Sequence, residues 1–317
     1  AVSEGDCVGQ ALPHLSSVSH ATGEAVYCDD IPHTHGELFL SVVTSSRAHA
    51  KITHIDKGGA LAMVGVVDVI TAQDIPGRRS VSFTGMEEEL LAEDQVTCVG
   101  HMICAVVADT KQHAKLAASS IKVTYEDLKD PIFTVQEAVE KSSFFPPQRE
   151  IQKGDVASAL QETDHIYEGE LRVGGQEHFY METQSMLVIP VGEEKEMKIY
   201  VSTQHPTFVQ MAVADTLGVS ANRVSCHVKR VGGAFGGKVT KTTVLACITA
   251  VAAWKTERPV RCVLDRGEDM LITGGRHPVH GSYKVGFMND GRITAADVQY
   301  YANAGNTPDE SPLVRSI

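Results

Sequence analysis

The sequence predicts an α+β protein of two domains, and three observations carry that prediction. Its 317 residues exceed what a single hydrophobic core usually organises. Short apolar runs of strand length alternate with helix-period patterns in both halves of the chain. Between the halves, Pro131, Pro146 and Pro147 exclude a continuous helix or central strand. The expected division is a lead-in at 1–19, a compact α/β domain at 20–128, a linker at 129–146 and a mixed α/β domain at 147–317.

In the first domain, residues 38–43, 66–70, 103–108 and 121–125 are apolar runs and predict strands. Residues 110–120 predict a helix, with Thr110 as N-cap. The linker holds one helical pattern, at 134–141. Beyond it, Gly154-Asp155 opens a helical pattern through Leu160, and 166–173, 185–190 and 198–203 read as strands. A helix at 206–217 begins on Pro206, favourable in a first turn, and is stopped by Gly218. Strand 223–231 then feeds a glycine-rich run, a helix at 241–255 and a strand at 259–264. A closing hairpin pairs 282–288 with 293–301 across Asn289-Asp290-Gly291. No internal repeat or low-complexity tract is present.

Hydrophobic residues make up 43% and charged residues 21% of the chain, an ordinary globular balance. No apolar run approaches the roughly 20 residues that cross a bilayer, so a soluble protein without membrane partners is expected. A net charge of −12 argues against nucleic acid, whose binding needs clustered Lys and Arg. The seven cysteines are scattered without a C-x-x-C pair, which predicts small reduced core residues and a cytoplasmic location. The start at Ala1, with no basic or apolar leader, predicts a chain that begins within something larger.

The most informative stretch for chemistry is VSCHVKRVGGAFGGKV at 224–239, a strand feeding a glycine-rich turn into a helix. Glycines let backbone N–H groups approach an anion, and the helix start adds partial positive charge. Residues 232–238 also match G-x-x-x-x-G-K, with Asp265 after an apolar strand as a metal-binding candidate, which is a P-loop hydrolase reading. Against it stands Val239, which offers no hydroxyl for Mg²⁺, with Thr240 one residue late. A turn that serves only tight packing is the third reading.

A second dense segment, GGQEHFYMETQ at 174–184, packs amide, imidazole, phenol and carboxylate groups just past a strand. On its own it reads equally as a solvated turn in which His178 and Glu182 make ordinary hydrogen bonds. His33 and His35 lie in a loop with Pro and Gly and no further ligands, so a surface loop is expected there. The acidic run 87–89 reads as a solvated loop, and Arg276-His277-Pro278 as a turn.

Together, GGQEHFYMETQ and VGGAFGGKVTK resemble the molybdenum hydroxylases, the family of xanthine dehydrogenase and aldehyde oxidase. Further matches are ATGEAVYCDDIP at 21–32, RAHAKI at 47–52, LDRGEDMLITGGRHP at 264–278 and YANAGNTPDES at 301–311, covering nearly the whole chain in the family's order. The resemblance implies an α/β hammerhead domain followed by the first, truncated part of the molybdopterin-binding domain. It implies molybdopterin as cofactor, with FAD and 2Fe-2S centres in the full-length family member but outside this segment. Gln176, Gly233, Ala234, Phe235 and Gly236 would be cofactor-binding, and Phe235 with Val239 substrate-binding. No catalytic base and no protein metal ligand is expected here.

Within the family, purine-hydroxylating members carry Glu after the glycine-loop lysine. Val239 in its place leaves purine N–H groups unpaired, at roughly 1 to 3 kcal/mol each, and resembles the aldehyde-oxidising branch. The implied reaction is oxidation of aldehydes and hydroxylation of aromatic N-heterocycles with water-derived oxygen, electrons passing to O2, and the implied assembly is a homodimer of the full-length form. Xanthine-type purine hydroxylation is the lesser alternative. The close at 312–317 departs from the family pattern, which predicts either a segment of a working enzyme, inactive alone, or a truncated non-catalytic product.

Overall fold

A computed structural model describes residues 7–146, 148–193 and 195–311. The Ala1 start, Pro147 at the expected domain start, and the divergent close at 312–317 lie outside the described residues. In chain order, the first half contains α1 (Ser17–Thr22), β1 (Leu38–Thr44), β2 (Ala50–Asp56), α2 (Gly58–Leu61), β3 (Val66–Ile70), β4 (Ser80–Val81), β5 (Glu88–Glu89), β6 (Gln95–Val96), β7 (Met102–Ala108), α3 (Lys111–Ser120) and β8 (Lys122–Asp127). After them come α4 (Val135–Glu140), α5 (Val156–Gln161), β9 (His165–Val173), β10 (Ser185–Val191), β11 (Glu196–Val201) and α6 (Pro206–Leu217). The chain continues through β12 (Val224–His227), α7 (Lys241–Thr256), β13 (Val260–Val263), α8 (Arg266–Thr273), β14 (Val279–Phe287) and β15 (Ile293–Ala302).

The central feature is a seven-stranded mixed sheet in the order β12-β11-β10-β13-β1-β7-β3. It draws strands from both halves of the sequence. The join is the parallel pair β1–β13, with Leu38 opposite Val260 and Phe39 opposite Arg261. Strand β7 is apolar throughout and buried along its whole length, because it sits between β1 and β3 with helices on both faces. Leu38, Leu40, Ala105 and Val107 join α6 and α7 in the larger core, while Val43, Cys104 and Val106 meet Ala117 and Ala118 of α3 on the opposite face. Helix α7 is apolar almost all round, as a helix enclosed by its neighbours must be.

Two three-stranded antiparallel sheets, β6-β2-β8 and β15-β14-β9, complete the architecture with a short β4–β5 pair. Several sequence expectations need correction. The acidic run 87–89 is not simply a solvated loop: Glu88–Glu89 forms β5, and Glu88 pairs with Lys241. The strand expected over 223–231 ends at His227, freeing the rest for the glycine-rich loop. Four of the seven cysteines are buried, Cys98 and Cys226 are half-buried and Cys7 is exposed; all are free thiols. No helix among the described residues is long and apolar enough to cross a membrane.

Candidate functional site

The ends of β11, β12 and β13 and the start of β10 lie along one edge of the large sheet, as their pairing registers require. Loops leaving the carboxyl ends of strands in an α/β sheet form a crevice there. Four segments meet at this edge: 178–184 before β10, 202–204 after β11, the glycine-rich loop 232–239 after β12, and α8 after β13.

The loop conformation follows from its glycines. Gly233 and Gly236 have φ of 88° and 95°, and Phe235 is a non-glycine residue at 51°. Ala234 between them does not share that left-handed region. Where residues alternate between left- and right-handed conformations, successive N–H groups can turn to one side as a concave nest for an anion. Gly232 and Gly237 are glycine for a different reason. A Cβ on Gly232 would lie 2.5 Å from Glu182 Cβ, and one on Gly237 2.8 Å from the His178 ring. The packing reading therefore holds for these two, and the conformational reading for the other two.

Five of the loop's N–H groups are bonded within the protein. Gly232 donates to Glu182 Oε2 at 2.7 Å. Gly236 and Lys238 both donate to Gln204 Oε1, at 3.1 and 3.3 Å. Gly237 and Val239 donate to Ala234 and Gly236 carbonyls within the loop. The N–H groups of Gly233, Ala234 and Phe235 have no acceptor among the described residues. Three consecutive donors thus stand unused at the apex, beside a Phe235 side chain that is 75% exposed. The loop offers fewer donors than its sequence promised, because five of its amides are spent inside the protein.

Beneath the loop lies a polar layer sealed from water. Lys238 is wholly buried, with Nζ 2.8 Å from Ser202 Oγ, 3.3 Å from Glu182 Oε2 and 4.6 Å from the centre of the Tyr180 ring. Burial pushes its ammonium below the usual lysine range although Glu182 opposes the shift. Tyr180 donates to Asp269 Oδ1 at 2.7 Å, and Asp269 Oδ2 accepts the Gln184 N–H at 2.7 Å. Burial and the Asp269 carboxylate raise the Tyr180 phenol well above its ordinary value. Gln184 closes the network by donating to Gly237 O at 2.8 Å.

This arrangement contradicts the P-loop reading. The lysine of a phosphate loop must reach outward to the ligand, whereas Lys238 points into the protein toward Glu182. Asp265, the metal-ligand candidate of that reading, instead caps α8 in a capping box with Glu268 and pairs with Lys111 and Lys115. His33 pairs with Glu37 at 2.9 Å, and no cluster among the described residues has the make-up of a metal site.

The structure brings Gly233, Ala234, Phe235, Gly236 and the half-buried Val239 together on one loop. Gln176 is exposed and joins Arg276 through an isolated backbone bridge; no hydrogen bond among the described residues links it to the loop. Two other glutamines grip the loop: Gln184, through the Gly237 carbonyl, and Gln204, which accepts from two loop amides and which sequence reasoning missed. Gln204 lies outside both glycine-bearing segments, and its only local signal is its place between a strand end and Pro206. His178 stacks on Tyr180, and its buried Nδ1 has no hydrogen-bond partner among the described residues.

Comparison with known proteins shows the family of the chain. The family described as "Aldehyde oxidase and xanthine dehydrogenase, a/b hammerhead domain" matches residues 22–129, and "Molybdopterin cofactor-binding domain" matches 136–317. Aldehyde oxidase 1 of Macaca fascicularis is 59% identical over 309 residues, and aldehyde oxidase of Homo sapiens 57% identical over 309. Each alignment covers 98% of this chain and 23% of the relative, so the chain spans under a quarter of their length. The solved aldehyde oxidoreductase of Desulfovibrio gigas superposes with a TM-score of 0.81 at 25% identity, covering 92% of this chain and 34% of that one. The chain belongs to the aldehyde oxidase and xanthine dehydrogenase family, as a segment that joins its hammerhead domain to its molybdopterin cofactor-binding domain.

Proposed function

We propose that this chain supplies one wall of the cofactor and substrate pocket of a cytoplasmic, homodimeric molybdenum hydroxylase. The enzyme oxidises aldehydes to carboxylic acids and hydroxylates aromatic N-heterocycles, with FAD and 2Fe-2S centres elsewhere in a longer polypeptide and O2 as final acceptor. The domain division is that of residues 20–128 and 147–317 about a linker. The observation that carries this reading is the unused N–H triplet of Gly233, Ala234 and Phe235.

The residues present fit an anionic, oxo-bearing pterin cofactor. Three consecutive backbone donors have no acceptor among the described residues, and the neighbouring glycines carry no side chain to cover them. When bound, the molybdenum cofactor supplies the two-electron oxidation and takes the oxygen from water. The chain's own part is to hold and to orient. Gly233, Ala234, Phe235 and Gly236 form the surface on which the cofactor rests, and Gln176 would bind it from the segment that leads into β10. Phe235, held aromatic and exposed at a positive φ, gives a planar substrate a face to lie against. Val239 keeps the neighbouring wall apolar, which favours aldehydes and disfavours purines. The base and the remaining walls belong to other parts of the polypeptide.

The test is purification of the full polypeptide from a host that makes the cofactor, with molybdenum measured by mass spectrometry and oxidation of benzaldehyde, phthalazine and hypoxanthine compared. Bound molybdenum with benzaldehyde and phthalazine turnover well above hypoxanthine supports the reading. Hypoxanthine turnover that equals or exceeds the others overturns the substrate assignment, and protein without molybdenum overturns the function.

A further inference from the structure

One carboxylate holds both ends of the glycine-rich loop. Glu182 Oε2 accepts the N–H of Gly232 at 2.7 Å, at the loop's start, and lies 3.3 Å from Lys238 Nζ, at its end. Ser202 completes a small ring, donating to the same carboxylate oxygen at 2.6 Å and accepting from Lys238 Nζ at 2.8 Å. The other oxygen, Oε1, accepts from the Cys28 N–H at 3.3 Å and from Ser185 Oγ at 3.4 Å, so the carboxylate cannot swing away. Lys238 is sealed from solvent and Glu182 nearly so.

We infer that Glu182 and Lys238 are positioning residues, whose buried ion pair ties the two loop ends together and thereby sets where the Gly233, Ala234 and Phe235 N–H groups stand. The inference rests on the cofactor-cradling reading above. Stability alone explains the pair poorly. Burying two charges costs several kcal/mol each, and an apolar pair of the same volume is often as stable. What an apolar pair does not reproduce is a fixed chord across the loop, since the carboxylate must meet a backbone N–H at one end and an ammonium at the other. The apex between these anchors keeps its positive φ values and its three free donors.

The test uses the full polypeptide with Glu182→Gln, Lys238→Met and the double variant, read by thermal midpoint, molybdenum content and the rate of pterin release followed by fluorescence. Each single variant leaves a buried charge unpaired and lowers both the midpoint and the molybdenum content. The double variant removes both charges and recovers the midpoint, yet releases pterin about tenfold faster than wild type, the scale on which second-layer partners act at bound groups. A double variant that retains cofactor like wild type overturns the inference. So does one whose cofactor loss only follows a lowered midpoint, because the pair then acts on the fold alone. Wild-type protein without pterin would instead bring down the proposed function, and this inference with it.

Discussion

Arg261 Nε lies 2.6 Å from the Glu37 carboxylate, and both side chains are almost completely buried. Arg261 belongs to β13 and Glu37 immediately precedes β1, so the pair fastens the parallel junction at which the two halves of the sequence share one sheet. The guanidinium also donates to the carbonyls of Cys28, Asp29 and Ile31, drawing the approach to β1 onto the same anchor. Removing one partner strands a buried charge. Glu37→Gln and Arg261→Met are each expected to lower unfolding stability by about 3 to 5 kcal/mol. Urea denaturation measures this, and a loss below about 1 kcal/mol would show that the junction does not depend on the pair.

The same pair makes stability depend on pH. Burial alone would raise the Glu37 carboxyl, but bonds from Arg261, the Thr34 backbone and His33 outweigh it and hold the pKa at about 2, against an ordinary 4.5. A carboxyl lowered in the folded state stabilises fully above its unfolded value. That contribution is lost as pH falls from 4.5 toward 2. Asp74 and Asp265 are lowered as well and act in the same direction. The informative quantity is therefore the difference between wild type and Glu37→Gln, which should shrink across this window in urea midpoints taken at successive pH values. A constant difference would contradict the assignment.

Two glycine substitutions should have opposite signs. A Cβ at Gly237 would meet the His178 ring at 2.8 Å and Tyr180 Cε1 at 2.9 Å, both beneath the loop. Gly237→Ala is expected to cost about 1 to 3 kcal/mol through overpacking. Gly267 lies inside α8 with nothing within 4 Å of the added carbon. There alanine should stabilise by about 0.5 to 1 kcal/mol, because glycine loses more backbone entropy in a helix. Thermal midpoints of the two variants decide the matter.

At the pocket surface, binding and stability should separate. Phe235 is exposed, so Phe235→Ala should leave the thermal midpoint nearly unchanged while raising KM for a planar heterocycle by about 2- to 10-fold, the value of one aromatic face. Val239→Glu should shift the preference toward purines by about tenfold or more, by giving their N–H groups a carboxylate partner. Competition between hypoxanthine and benzaldehyde measures that shift. An unchanged ratio would remove Val239 from the substrate wall.

Local chemistry was legible in the sequence, and long-range partnership was not. Residues 66–70 form β3 as the apolar run predicts, and α6 begins at Pro206 and stops at Gly218 with φ 66°, as those two residues require. Strand β2 escaped notice because a register shift between Ile52 and His54 breaks the two-residue alternation. Helix α8 did carry a start signal, the Asp265-to-Glu268 capping box, but the metal-ligand reading of Asp265 competed with it. In the site, Gly233, Phe235 and Gly236 announced themselves by composition. Glu182 and Gln204 hold the loop from 32 to 56 residues upstream in sequence, and only the sheet topology reveals which loop groups they reach.

The central claim is that the Gly233–Ala234–Phe235 donors receive the cofactor while Gln204 and Glu182 occupy their neighbours. Residue-resolved amide hydrogen exchange on the full polypeptide, with and without cofactor, tests it directly. The account predicts that amides 233–235 exchange rapidly in the empty protein and become strongly protected on loading, while Gly232, Gly236 and Lys238 are protected in both forms. Unchanged exchange at 233–235 in a protein shown to hold molybdenum would contradict it.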